Sequence, residues 1–214
     1  MKDLFVKRLN LFLVFTAIIS FILYSNCSLD EPEDDRRKVI GEGPVVKQVI
    51  QADTFNIFSH LSIGNVNITT GDSLEIYVKA QQNILDEMMF DFEDEYFGWG
   101  LKEDIVIEDA DTILLTINMP NALEAIQIGG AGTVNIRGNK QDHIYYEILG
   151  FSEVDSYLLE VDSINVNIAG FAKCRFRVNN VLSGLISGSG TIYYKGDPRV
   201  NVAIVGQGEV IDDN

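Results

Sequence analysis

Through the second half of the chain, apolar residues fall on every second position, and each apolar run closes on the same signature. A branched residue is followed two places later by glycine, then a small residue, then another apolar one. The copies read Ile128-Gly-Gly130-Ala-Gly132-Thr-Val134, Ile148-Leu-Gly150-Phe-Ser152-Glu-Val154, Ile168-Ala-Gly170-Phe-Ala172-Lys-Cys174, Ile186-Ser-Gly188-Ser-Gly190-Thr-Ile192 and Ile204-Val-Gly206-Gln-Gly208-Glu-Val210. Successive central glycines lie 20, 20, 18 and 18 residues apart. Alternation such as Ile144-x-Tyr146-x-Ile148, Ile164-x-Val166-x-Ile168 or Val200-x-Val202-x-Ile204 predicts strands with one buried face. An even spacing of this length predicts stacked units, each too small to bury its own apolar face and each relying on its neighbours.

Every copy reads as strand, tight corner, strand. The glycine and the small residue continue the inward face, where bulky side chains would collide at the bend. The expected fold is all-β: a parallel β-helix, or β-solenoid, of 18–20-residue turns, with the handedness of parallel crossovers favouring a right-handed coil. An antiparallel sandwich would place turn signals every 8 to 12 residues or so, about half the spacing found. Cys174 takes the place that valine or isoleucine fills in the other copies, so it reads as a small buried hydrophobe and not as a nucleophile.

The first half repeats less cleanly. Phe55-Asn-Ile57, Val66-Asn-Ile68 and Leu74-Glu-Ile-Tyr-Val78 are strand-like, Ala80 to Met88 has helical spacing, and Ile105-Val-Ile107 and Ile113-Leu-Leu-Thr-Ile117 precede Pro120. These segments are expected to extend the same stack.

The N-terminus has a different character. Lys2, Lys7 and Arg8 precede a run from Leu11 to Tyr24 without charge, and then comes Ser25-Asn26-Cys27. The run is short for a membrane span and suits the apolar region of an export signal. It resembles a bacterial lipoprotein signal, which implies cleavage after residue 26 and lipidation of Cys27. Tyr24 and Asn26 stand where such signals carry leucine and a small residue, so a plain membrane anchor and a secretory signal cut near Cys27 remain open. The acidic tract after Cys27 predicts a solvated tether over residues 27–44 and a head domain over 45–214.

Taken in order, Phe55-Asn-Ile57, Val66-Asn-Ile68-Thr-Thr-Gly71-Asp72, Ile76-Tyr-Val78, Asn83-Ile-Leu85, Met119-Pro120 and Ile128-Gly-Gly-Ala-Gly132 form a further pattern. It resembles the bacterial putative auto-transporter adhesin head-domain family, the head GIN domain, over roughly residues 45 to 212. The resemblance implies a β-solenoid on an exported, often lipid-anchored protein with an adhesive role, and it brings no residues of known catalytic or binding role. Ser152 and Ala172 depart from the pattern by replacing its second glycine.

Charge and composition narrow the chemistry. A formal net charge of -16 makes nucleic acid a poor partner. His60 and His143 are the only histidines and lie far apart, which gives no basis for a histidine metal cluster or a Ser-His-Asp arrangement. The glycine pairs lack the following helix and lysine of a phosphate loop. No cofactor or metal is expected, and no enzyme activity. Asp86, Glu87, Asp91, Glu93, Asp94 and Glu95 form an acidic stretch without a basic residue between Gln81 and Leu101, which favours a solvated loop over a carbohydrate-active β-helix site. Within it, Tyr96, Phe97 and Trp99 beside Asp94 and Glu95 are the candidate binding residues for a protein or carbohydrate; the competing reading points Phe90 and Phe92 inward and makes Phe97 and Trp99 a cover for the end of the stack. The expected function is a membrane-tethered binding module of a Gram-negative cell envelope, lipid-anchored at the outer membrane on its surface or periplasmic face. The alternatives are a β-helix carbohydrate enzyme and a periplasmic structural or sensing lipoprotein. Leu185, Ala203 and Val205, on the expected outward face, offer a contact for oligomerisation.

Overall fold

The computed structural model describes residues 35–214; the expected signal segment, Cys27 and the first part of the expected tether lie outside them. Chain order begins with β1 (Arg37–Ile40), β2 (Val45–Ile50), β3 (Ile57–His60), β4 (Asn65–Thr70) and β5 (Glu75–Gln81). A single helical turn, α1 (Gln82–Leu85), leads into β6 (Met88–Glu93), β7 (Tyr96–Leu101), β8 (Ile105–Asp109) and β9 (Leu114–Met119). The regular part follows: β10 (Ala125–Ile128), β11 (Ala131–Gly138), β12 (Gln141–Ile148), β13 (Phe151–Ile168), β14 (Phe171–Ile186), β15 (Ser189–Lys195), β16 (Arg199–Ile204) and β17 (Gln207–Asp212). The fold is all-β, with the strands apart from β1 and β8 joined in one 15-stranded sheet.

The sequence repeat is a repeat of strand pairing. Ile128 pairs with Ile148, Ile148 with Ile168, Ile168 with Ile186 and Ile186 with Ile204, always between parallel strands. One half-unit further on, Val134, Val154, Cys174, Ile192 and Val210 form a second in-register column. Cys174 is fully buried there, and burial pushes its thiol pKa up, which leaves it inert. Alternate residues of each rung fill one continuous core that includes Tyr146, Val166, Phe176 and Leu182.

The central glycines are required for a reason other than the one the sequence suggests. At each corner two consecutive backbone N–H groups, such as those of Leu149 and Gly150, donate to one carbonyl of the preceding rung, here that of Ile128 at 2.8 and 3.0 Å and at the Gly130 corner that of His60. This draws the corners so close that a Cβ on Gly150 would stand 2.0 Å from the Gly130 carbonyl oxygen. Gly170, Gly188 and Gly206 would meet their predecessors at 2.2, 2.2 and 2.1 Å. Backbone packed on backbone, not crowding of side chains inside the bend, excludes every other residue.

The first half joins the stack out of chain order. β3 pairs with β10 on one side and with β7 on the other, and β4 likewise sits between β11 and β9. The rung made first in the sequence is therefore flanked by two rungs made later. Beyond β9 the sheet continues with antiparallel β5 and then β2, and beyond β7 with antiparallel β6. Between β5 and β6, α1 and the residues after it place Ile84, Leu85 and Met88 in the buried core, closing that end. The helix is shorter than the Ala80–Met88 pattern predicts, because Ala80 and Gln81 pair in β5 and Met88 opens β6. Arg37–Ile40 pairs in parallel with β8 and Val39 is buried, so ordered structure starts within the predicted 27–44 segment.

Candidate functional site

The acidic and aromatic segment forms a hairpin of β6 and β7, turning at Asp94 with φ of 52°. In that hairpin Trp99 pairs opposite Phe90 and Phe97 opposite Phe92. The other edge of β7 decides which of its residues can meet a ligand. Phe97 falls in register with Phe58 and Trp99 with His60, so both side chains enter the core. Phe97 packs on Phe55 and Phe58 with ring centroids at 5.2 and 5.7 Å, and Phe92 lies flat on it at 4.5 Å. Of the five candidates, Phe97 and Trp99 are withdrawn from solvent, Tyr96 is half-buried over Gly98, and Asp94 and Glu95 are exposed at the turn. Phe97 and Trp99 belong to the core, while Phe92, 37% exposed, and half-buried Tyr96 are what the hairpin shows to solvent.

Nor is the acidic stretch isolated in space. Glu87 lies 2.6 Å from Arg37 and 3.7 Å from Lys102, residues outside the window that looked free of basic charge. The Arg37 hydrogen bond holds the Glu87 carboxyl below its usual pKa. Gln82 donates to Asp86. Among the described residues no group of three or more histidine, cysteine or carboxylate side chains is placed to hold a metal ion.

His60 occupies the isoleucine column, between Trp99 on one side and Ile128 on the other. Its ring stacks on Trp99 at 5.3 Å and an interplanar angle of 17°, and neither nitrogen has a hydrogen-bond partner of good geometry. Burial lowers its pKa to about 4, only partly offset by the nearby backbone of Ala131 and Gly64. A neutral, enclosed imidazole of this kind is part of the core and out of reach of a substrate.

The exposed aromatic surface is elsewhere, on the glycine corner. Since Gly150 and Ser152 continue the inward face, Phe151 between them must point out, and Phe171 does the same one rung later. Phe151 is 71% exposed and Phe171 60%, with ring centroids 6.1 Å apart. Two shallow grooves meet at Phe151. One, of about 500 Å³, runs past Leu61 and the flat glycines 129, 130 and 150 towards Lys102. The other, of about 650 Å³, runs past Phe171 to Lys173, Thr191 and Glu209. Beside this strip, Arg175 bridges to Glu153 and lies 3.8 Å from Asp155, which ties adjacent rungs together and fixes the floor on which the rings stand. Further round the rungs, Lys140 reaches Asp162 at 2.7 Å and Arg177 reaches Glu160 at 3.2 Å. The resulting surface offers apolar contact and hydrogen-bonding groups.

The in-register rungs from β12 to β15 are also where a relationship to known proteins can be read. Residues 140–198 match the family model of the putative auto-transporter adhesin, head GIN domain. The head GIN resemblance read from the glycine pattern holds over that segment, which includes Phe151 and Phe171. The fold is similar to that of a putative adhesin from Bacteroides fragilis NCTC 9343, with a TM-score of 0.54 and 13% identity, over 80% of this chain and 98% of that one. A putative adhesin from Parabacteroides merdae ATCC 43184 aligns with a TM-score of 0.38 and 16% identity, over 82% and 99% of the two chains. A putative lipid binding protein from Parabacteroides distasonis ATCC 8503 aligns with a TM-score of 0.41 and 13% identity, over 82% and 100%. No curated protein matches the chain.

Proposed function

We propose that the chain is a non-catalytic adhesive module of the bacterial cell envelope: a right-handed β-solenoid head, lipid-anchored through Cys27 to the outer membrane, that holds a protein or carbohydrate partner on its glycine corner. The observation that carries this reading is the outward Phe151 and Phe171 pair. Two large aromatic rings stand side by side in water on adjacent rungs, and exposed aromatics are what binding surfaces concentrate. The head GIN match supports an adhesive role. The solenoid reading rests on parallel, in-register pairing at the repeat spacing. The anchor rests on the uncharged Leu11–Tyr24 run before Cys27.

The test is attachment of cells that display the protein to immobilised host glycans and extracellular-matrix proteins. The double variant Phe151→Ser, Phe171→Ser is expected to lose attachment while melting at the wild-type temperature. Undiminished attachment by that folded variant overturns the assignment of the corner. Protease shaving of intact cells is expected to remove the head, and a head that stays intact in shaved cells sinks the adhesive reading. Cys27→Ala is expected to release the protein from the membrane fraction.

A further inference from the structure

The two ends of the stack are finished differently. At one end α1 and the antiparallel strands β2, β5 and β6 cover the core. At the other, β16 pairs only with β14 and β17 only with β15, so each keeps a free edge among the described residues. Val200 and Ile204 stand in the inward columns of Leu182 and Ile186, which are fully buried, yet they are 41% and 45% exposed. Val202 and Val210, also inward, are half-buried. Among the described residues no further rung covers this one. Repeat stacks need a cap at each end, and a free edge is normally guarded by proline, charge or a bulge. β16 has Pro198 and Arg199 only at its start, and Val200 to Ile204 carry no guard.

The charges on this rung indicate what fits. β16 carries a single charge, Arg199, whereas β17 and the residue after it carry Glu209, Asp212 and Asp213. A basic strand and an acidic strand, joined at the Gly206 corner, match a second copy of the same rung turned over. We propose that this end is closed by the same end of a second copy, about a two-fold axis through the Gly206 corner that seats β16 of each copy antiparallel on β17 of the other. Residues equally far from Gly206 then face each other. Val202 meets the other copy's Val210, Ile204 meets Gly208, and Arg199 meets Asp213, whose carboxylate also accepts from its own chain's Tyr157 at 2.7 Å. Each charge complement occurs twice by symmetry, and both free edges are paired at once. The capped far ends cannot repeat the contact, so the assembly closes as a dimer and does not grow into a fibre. Val205, 79% exposed beside the corner, lies at the axis.

Cross-linking the full chain in detergent tests the axis itself. Two differently tagged preparations, Val202→Cys and Val210→Cys, are mixed and mildly oxidised, with the wild-type chain setting the background from Cys27 and Cys174. The expected product is a reducible disulfide joining one tag to the other, since directly opposed antiparallel residues fall within disulfide reach. Asn201→Cys with Ile211→Cys, the next facing pair, is expected to behave the same way and guards against one pair failing to fold. Arg199→Glu is expected to lower the yield by up to roughly fivefold, and Asp213→Lys in the same chain to restore it. The proposal fails if mixed yields stay at background. It fails equally if Val202→Cys links to itself as readily as to Val210→Cys, or if outward Thr191→Cys links as well. A further segment or an unrelated protein covering the end would appear as the first of these results.

Discussion

The rungs from residue 125 onward and the rungs between 57 and 119 occupy the same columns of one sheet with different chemistry. In the later rungs the column runs isoleucine on isoleucine, and every corner passes a glycine. In the earlier ones the same column holds Trp99 and His60, and the position equivalent to Gly130 is Ser62, whose buried hydroxyl has no hydrogen-bond partner. The difference teaches that backbone pairing sets the geometry, while the side chains of a column have latitude as long as they fill it. Where backbone touches backbone, that latitude ends.

The largest effect should come from removing it at a corner. Gly150→Val puts a Cβ 2.0 Å from the Gly130 carbonyl oxygen, and a loss above about 4 kcal/mol is expected in denaturant unfolding. Gly71→Val, at a position with nothing within 4 Å of the added Cβ, should cost less than about 0.5 kcal/mol. Equal losses at the two sites would remove the close-approach explanation.

A smaller effect separates the polar column from the apolar one. His60 has a pKa of about 4 when folded and 6.5 when unfolded. Below pH 6.5 the unfolded chain takes up a proton that the folded chain refuses until about pH 4. Stability at this site is therefore complete above pH 6.5 and lost as pH falls towards 4, by about 3 kcal/mol in all. His60→Ile, which extends the isoleucine column, should flatten that part of the pH profile; an unchanged profile would show that the imidazole is not the titrating group.

The smallest effect belongs to the surface. Phe151→Ala should change stability by no more than about 0.5 kcal/mol, whereas Ile148→Ala, three residues earlier and fully buried, should cost about 2 to 5 kcal/mol. Chemical denaturation of the pair measures how sharply the corner divides surface from core.

How much of this was legible in the sequence follows from the same division. Alignment of the five copies places Cys174 in the Val154 and Ile192 column, as the pairing confirms, because a strict repeat converts spacing into register. Alternation around Gly150 and Ser152 also contains the outward direction of Phe151, although the residue types drew attention to Trp99. The sequence offered burial of Phe97 and Trp99 as the competing reading, but not the strand that buries them. Their burial depends on β7 pairing with β3, about forty residues earlier, and no local pattern announces that partner. The same holds for Arg37 beside Glu87, and for β1, whose short strand sits in an acidic, polar neighbourhood and takes its order from β8.

The insertion of β3 and β4 between rungs that come later in the chain sets a timetable. A nascent chain emerges N-terminus first, so Ile57–Thr70 appears before either of its neighbours. β7 and β9 arrive to cover one side of it, and the opposite edge stays open until residues 125–138 have been made. The founding rung must wait through almost seventy residues of synthesis, an interval in which its unpaired edge is available to other chains, and the later rungs can then add one at a time in the order they are read.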